Sequence, residues 1–69
     1  MSTEAKSHLA DARAYLKAAR TADDNRERAR CADRAITAAE NALQASAPGS
    51  SAARAAARVI SDAQTMMGR

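Results

Sequence analysis

The apolar positions in the first part of the chain recur with the spacing of an α-helix. Between residues 3 and 20 they follow one another in steps of four and three residues, which places them in a single row along one helix face. No segment alternates with period two over the length of a strand. The pattern predicts an all-α protein. The first row is Ala5, Leu9, Ala12, Leu16 and Ala19.

The second periodic stretch, residues 24–46, carries two adjacent apolar rows. A helix with so wide an apolar face can contact two neighbours at once, so we expect it to be the middle helix of a bundle. Both rows consist mainly of alanine, the residue with the highest helix propensity. One row is Ala29, Ala32, Ile36, Ala39 and Leu43, and the other is Cys31, Ala35, Ala38, Ala42 and Ala45.

The strongest break in the pattern is the dipeptide Pro48-Gly49, which has serines on both sides. Ser50 or Ser51 then offers a side-chain oxygen to cap a third helix. Near the end of the chain, Gly68 has the position of a C-terminal helix stop.

A softer break follows the first helix. Asp24 and Glu27 have the spacing of a capping box, and Thr21 is the alternative cap. We therefore predict a single domain over residues 1–69, a small three-helix bundle made of an antiparallel helical hairpin and a third helix with alanine-rich seams. The predicted helices span about 3–20, 24–46 and 51–67.

Large apolar side chains are scarce, because 21 of the 69 residues are alanine and the chain has neither Phe nor Trp. We expect Leu9, Leu16, Ile36 and Leu43 to share one core between the first two helices. Apart from Met1, only nine large apolar residues are available to stabilise the fold. This shortage favours a homo-oligomer that associates through alanine and leucine seams.

The third helix concentrates its bulk near its C-terminal end, at Val59, Ile60, Met66 and Met67. The simpler interpretation is that these residues close the bundle. The alternative is that they anchor the helix on a protein partner, since methionine is common at adaptable docking surfaces. We retain them as candidate partner-binding residues.

The sequence offers little for catalysis or metal binding. His8 and Cys31 are the only soft metal ligands and stand 23 residues apart, whereas a structural zinc site needs four ligands, usually in close pairs. There is no Gly-rich phosphate loop and no Ser/His/Asp set. We expect no enzyme activity, metal, cofactor or small-molecule substrate. The single cysteine and the polar N-terminal segment are typical of a cytoplasmic protein without a signal peptide or membrane contact.

Eleven basic and eight acidic residues leave a net charge of +3. Most of the arginines near the second helix have an acidic residue three or four positions away, so they are expected to be neutralised within their own helix. The expected ion pairs are Asp24–Arg28, Glu27–Arg30, Arg30–Asp33 and Arg58–Asp62.

These features together predict a small protein–protein interaction module of the adaptor or inhibitor type. The excess of arginine and alanine is typical of a GC-rich genome and fits an accessory protein of a phage or of a bacterium with such a genome. The alternative is a small basic helical DNA-binding protein that uses arginines for phosphate contacts. The candidate nucleic-acid residues are Arg26, Arg30, Arg34, Arg54 and Arg58.

Overall fold

A computed structural model describes residues 3–68 and contains three helices in that range. They are α1 (Thr3–Thr21), α2 (Asn25–Gln44) and α3 (Ser51–Met66). The described residues form no strand, so the predicted all-α three-helix bundle is confirmed. None of the described helices is sufficiently long and apolar to cross a bilayer.

The two candidate caps in the turn between α1 and α2, Thr21 and Asp24, have different roles. Asp24 is the N-cap of α2, and its carboxylate accepts a hydrogen bond from the backbone N–H of Arg26 at 3.0 Å. Thr21 instead ends α1, because its hydroxyl donates back to the carbonyls of Lys17 and Ala18. The α2 cap is therefore the acidic residue Asp24, whose negative charge also interacts favourably with the positive end of the helix dipole.

Serine and glycine set the boundaries of α3. The Ser50 hydroxyl accepts a hydrogen bond from the backbone N–H of Ala53 at 3.2 Å, which makes Ser50 the N-cap. Gly49 and Gly68 both have a φ of 76°, a left-handed conformation that residues with a Cβ rarely adopt. The predicted glycine stop after α3 is confirmed.

The middle position of α2 is also confirmed. It packs most extensively on α1 and next on α3, whereas α1 and α3 touch each other least. The Cα atoms extend over 35 × 20 × 13 Å, so the bundle is flattened. An open furrow lies between the N-terminal halves of α1 and α3.

The core of the bundle is built from alanine. Of the fifteen buried residues in the described part of the chain, twelve are alanine, and the others are Leu9, Leu16 and Val59. Alanine seams let helix axes approach to the short end of the usual 8–10 Å range, since no large side chain separates them. The five residues predicted for the α1 row are all buried.

The prediction that Leu43 belongs to the core is wrong. Its side chain is 41% exposed, and Ile36 is only partly buried. The buried face of α2 is centred on Ala35 and Ala42, and Leu43 lies about 80° around the helix from Ala35. Ala29, the first residue of the same predicted row, is exposed as well.

We predict that Ala39→Phe destabilises the bundle by about 1–3 kcal/mol, because Ala39 is completely buried where α2 meets its neighbours. The matched control is Ala14→Phe on the exposed side of α1, for which we expect a loss of about 0.5 kcal/mol from helix propensity alone. Urea denaturation measures both. An equal loss of stability in the two variants would contradict the position of Ala39 in a helix seam.

Candidate interaction surface

The two soft metal ligands of the sequence, His8 and Cys31, line different depressions of the surface. His8 lines an open groove between α1 and α2, together with Tyr15, Arg34 and Asn41. Cys31 is a free, half-buried thiol on α2 that packs against the edge of the core. Within residues 3–68 no three His, Cys, Asp or Glu side chains are placed so that they could share a metal ion.

The surroundings of Cys31 are a shallow depression of about 150 Å³ lined by Glu27, Arg30 and Arg34. These three side chains are exposed, and all lie on α2 itself. Because no neighbouring helix contributes a residue, the depression is a local feature of one helix rather than an enclosed pocket.

The predicted ion pairs within helices are wrong. Across the described residues the one ion pair is Arg20–Asp62, with 3.7 Å between the guanidinium and carboxylate atoms, and it joins α1 to α3. Asp62 therefore pairs with a residue of α1 rather than with Arg58 of its own helix. Arg28 is also diverted from its expected partner, because its guanidinium donates to the Ala22 carbonyl at 3.0 Å and fastens the α1–α2 turn.

The open side of the bundle carries a basic furrow, which we call the α1–α3 furrow. It has a volume of about 340 Å³. Its floor is apolar, since Leu9 and Ala52 are buried there, whereas Lys6 and Arg13 stand exposed on its rim. The lining residues are Lys6, Leu9, Ala10 and Arg13 from α1 and Ser51, Ala52 and Ala55 from α3.

The charges of α1 are segregated between its two flanks. Lys6, Arg13 and Arg20 recur every seven residues, so they lie on one flank, and the Arg20–Asp62 pair shows that this flank faces α3. Asp11 lines the groove on the opposite flank, towards α2. Glu4, seven residues earlier, shares that flank. The furrow side of α1 is therefore basic and the other side is acidic.

A second surface, which we call the α2 outer edge, consists of Asp33, Ile36, Glu40 and Leu43. Ile36 and Leu43 are seven residues apart and form an apolar line, and the acidic pair repeats with the same spacing directly beside it. Leu43 and both acidic side chains are exposed. The edge is thus an amphipathic, acidic strip along the middle helix.

The candidate docking residues of α3 differ in their burial. Val59 is 5% exposed and belongs to the core. Ile60, Met66 and Met67 are half-buried and pack against the core from its edge. The two methionines also line a depression of about 190 Å³ with Ala29 at the start of α2. Three of the four residues therefore retain surface that a partner can contact.

The candidate nucleic-acid arginines are exposed on two helices, three on α2 and two on α3. The sequence interpretation missed the basic flank of α1. The signal was present as the seven-residue repeat of Lys6, Arg13 and Arg20, but its importance depends on the gap between α1 and α3, which periodicity does not reveal.

We predict that Leu16→Ala lowers the free energy of unfolding by about 2–5 kcal/mol, because Leu16 is one of the three large side chains that are buried within residues 3–68. Leu43→Ala on the α2 outer edge is the matched comparison, with an expected loss of about 1 kcal/mol or less when the protein is dilute. Denaturant titration at low protein concentration gives both values. A loss at Leu43 as large as that at Leu16 would contradict the exposed position of Leu43.

Known proteins provide no template for these surfaces. No protein family, characterised protein or solved structure matches this chain significantly. Its function therefore has to be inferred from the chemistry of the α1–α3 furrow, the α2 outer edge and the half-buried side chains of α3.

Proposed function

We propose that this protein is a small protein–protein interaction module that self-associates. One observation carries the proposal: of the nine large apolar side chains in residues 3–68, only Leu9, Leu16 and Val59 are buried. Four of the others are half-buried, and Tyr15 and Leu43 are exposed by 36% and 41%. The side chains with the most to gain from burial therefore lie at the surface.

The energetic reason for association follows from this distribution. Fully burying a large aliphatic side chain contributes roughly 1.5–3 kcal/mol, whereas an alanine methyl contributes much less. The alanine core leaves most of that potential stabilisation unused within one chain. A contact that covers Ile36, Leu43 and their neighbours supplies it.

A role as an adaptor or inhibitor in the cytoplasm extends this proposal. Such a protein presents a surface to its partner, and the half-buried Ile60, Met66 and Met67 suit that task because flexible methionine side chains adapt to irregular partners. The free Cys31 thiol is compatible with a reducing compartment.

Binding of nucleic acid is the second candidate function, and the ion pairs supply an observation in its favour. In the described part of the chain Arg26, Arg30, Arg34, Arg54 and Arg58 have no acidic partner within 4.0 Å, contrary to the expectation from their spacing. Cations that are not neutralised by the protein are available to phosphate groups. The large apolar side chains at the surface have no role in binding nucleic acid.

We predict that the weight-average mass rises with concentration in the micromolar range, as measured by sedimentation velocity. The melting temperature should rise over the same range, because association stabilises the folded chain by mass action. A monomeric mass with a melting temperature independent of concentration would contradict the proposal.

For the second function, we expect the affinity for a short DNA duplex to be weak and lost at physiological salt, because phosphate contacts are screened by counterions. Fluorescence polarisation across a salt series measures it. Tight binding with a steep salt dependence, reduced by Arg30→Ala together with Arg34→Ala, would favour a DNA-binding protein instead.

A further inference from the structure

We infer that the α2 outer edge of one copy docks in the α1–α3 furrow of a second copy, so that the protein assembles head to tail. The inference rests on the proposed self-association and names the two faces that meet. It follows from three properties of these faces: an apolar floor, opposite charges and a matching repeat.

The furrow is shaped for a helix that brings apolar side chains. Its floor contains buried Leu9 and Ala52, and Ala10 and Ala55 beside them project only a methyl group. Small residues let an incoming helix approach closely. The α2 outer edge offers such a helix, because Leu43 is exposed and Ile36 is partly so.

The charges of the two faces are complementary. The furrow rim has Lys6 and Arg13, and the edge has Asp33 and Glu40. The residues that line the furrow include no acidic side chain. Asp62 of α3 lies further along the helices, where it pairs with Arg20. The acidic α2 outer edge therefore meets cations that have no acidic partner among residues 3–68.

The spacing of the charges also matches. Lys6 and Arg13 are seven residues apart, as are Asp33 and Glu40. Seven residues of helix rise about 10.5 Å. When the two helices align, each rim cation therefore lies opposite one carboxylate of the edge. The same two turns separate Ile36 from Leu43, and the apolar and ionic contacts therefore share one register.

Two other occupants fit the observations less well. A symmetric contact between two α2 outer edges brings four carboxylates together, which opposes association. A nucleic acid satisfies Lys6 and Arg13 through its phosphates, but leaves Leu43 uncovered and gains nothing from the apolar floor of the furrow.

The furrow and the edge are different surfaces of one molecule, so the contact is heterologous. Each docking event leaves one furrow and one edge free. Assembly therefore proceeds beyond a dimer, either to a closed ring or to an open chain.

Reciprocal charge reversal in the full-length protein tests the inference. The furrow variant is Lys6→Glu with Arg13→Glu, and the edge variant is Asp33→Lys with Glu40→Lys. We expect each variant alone to associate at least tenfold more weakly than the natural protein in sedimentation velocity. An equimolar mixture of the two should recover the assembly, because the intact edge of the first meets the intact furrow of the second and the two reversed faces are again oppositely charged.

The control is Arg30→Glu with Arg34→Glu, which changes the net charge as much as the furrow variant does but alters the other flank of α2. Its association should stay within twofold of the natural protein. Circular dichroism checks that each variant is helical, and Lys6→Gln with Arg13→Gln replaces the furrow variant if reversal unfolds the chain.

Several results would overturn the inference. If the natural protein associates but neither reversed variant weakens it, or if the control weakens it equally, self-association stands and the assigned faces are wrong. The assigned faces are also wrong if the furrow variant loses binding to a DNA duplex but associates as the natural protein does. If the natural protein is monomeric at every concentration, both the inference and the proposed function fail.

Discussion

Close contact between alanine-lined helix faces determines the shape of this protein. The middle helix α2 has Ala32, Ala35, Ala39 and Ala42 completely buried, and it meets alanines of both neighbours. Methyl groups fill little space, so the helix axes can come close together and few large side chains fit between them. Larger residues in such a seam would force the helices apart.

The same constraint explains the surface. A seam that excludes bulk displaces the larger apolar residues to its margins, where Ile36, Ile60 and the two methionines are half-buried and Leu43 is exposed. It also leaves α1 and α3 with little mutual contact, and the furrow between them is the result. Alanine at the seam positions thus accounts for the packing of the core. It also accounts for the two uncovered faces of opposite charge.

The helices and their ends could be predicted from the sequence because their signals are local. The row from Ala5 to Ala19 faces mainly one neighbour, so its periodicity identifies its buried side without ambiguity. In α2 the apolar face is wider than the contact it makes, and periodicity does not locate the centre of that contact. For this reason the predicted core position of Leu43 is wrong. The Arg20–Asp62 pair and the furrow depend on how α1 lies beside α3, which is tertiary information.

The most direct test of this account is an NMR titration of the protein against itself. Backbone amide shifts of assigned residues are followed from low micromolar to millimolar concentration. We expect the shift changes to concentrate around Leu9 and Ala52 in the furrow and around Ile36 and Leu43 on the α2 outer edge. Shifts that are independent of concentration, or that change instead around Tyr15 in the α1–α2 groove, would contradict it.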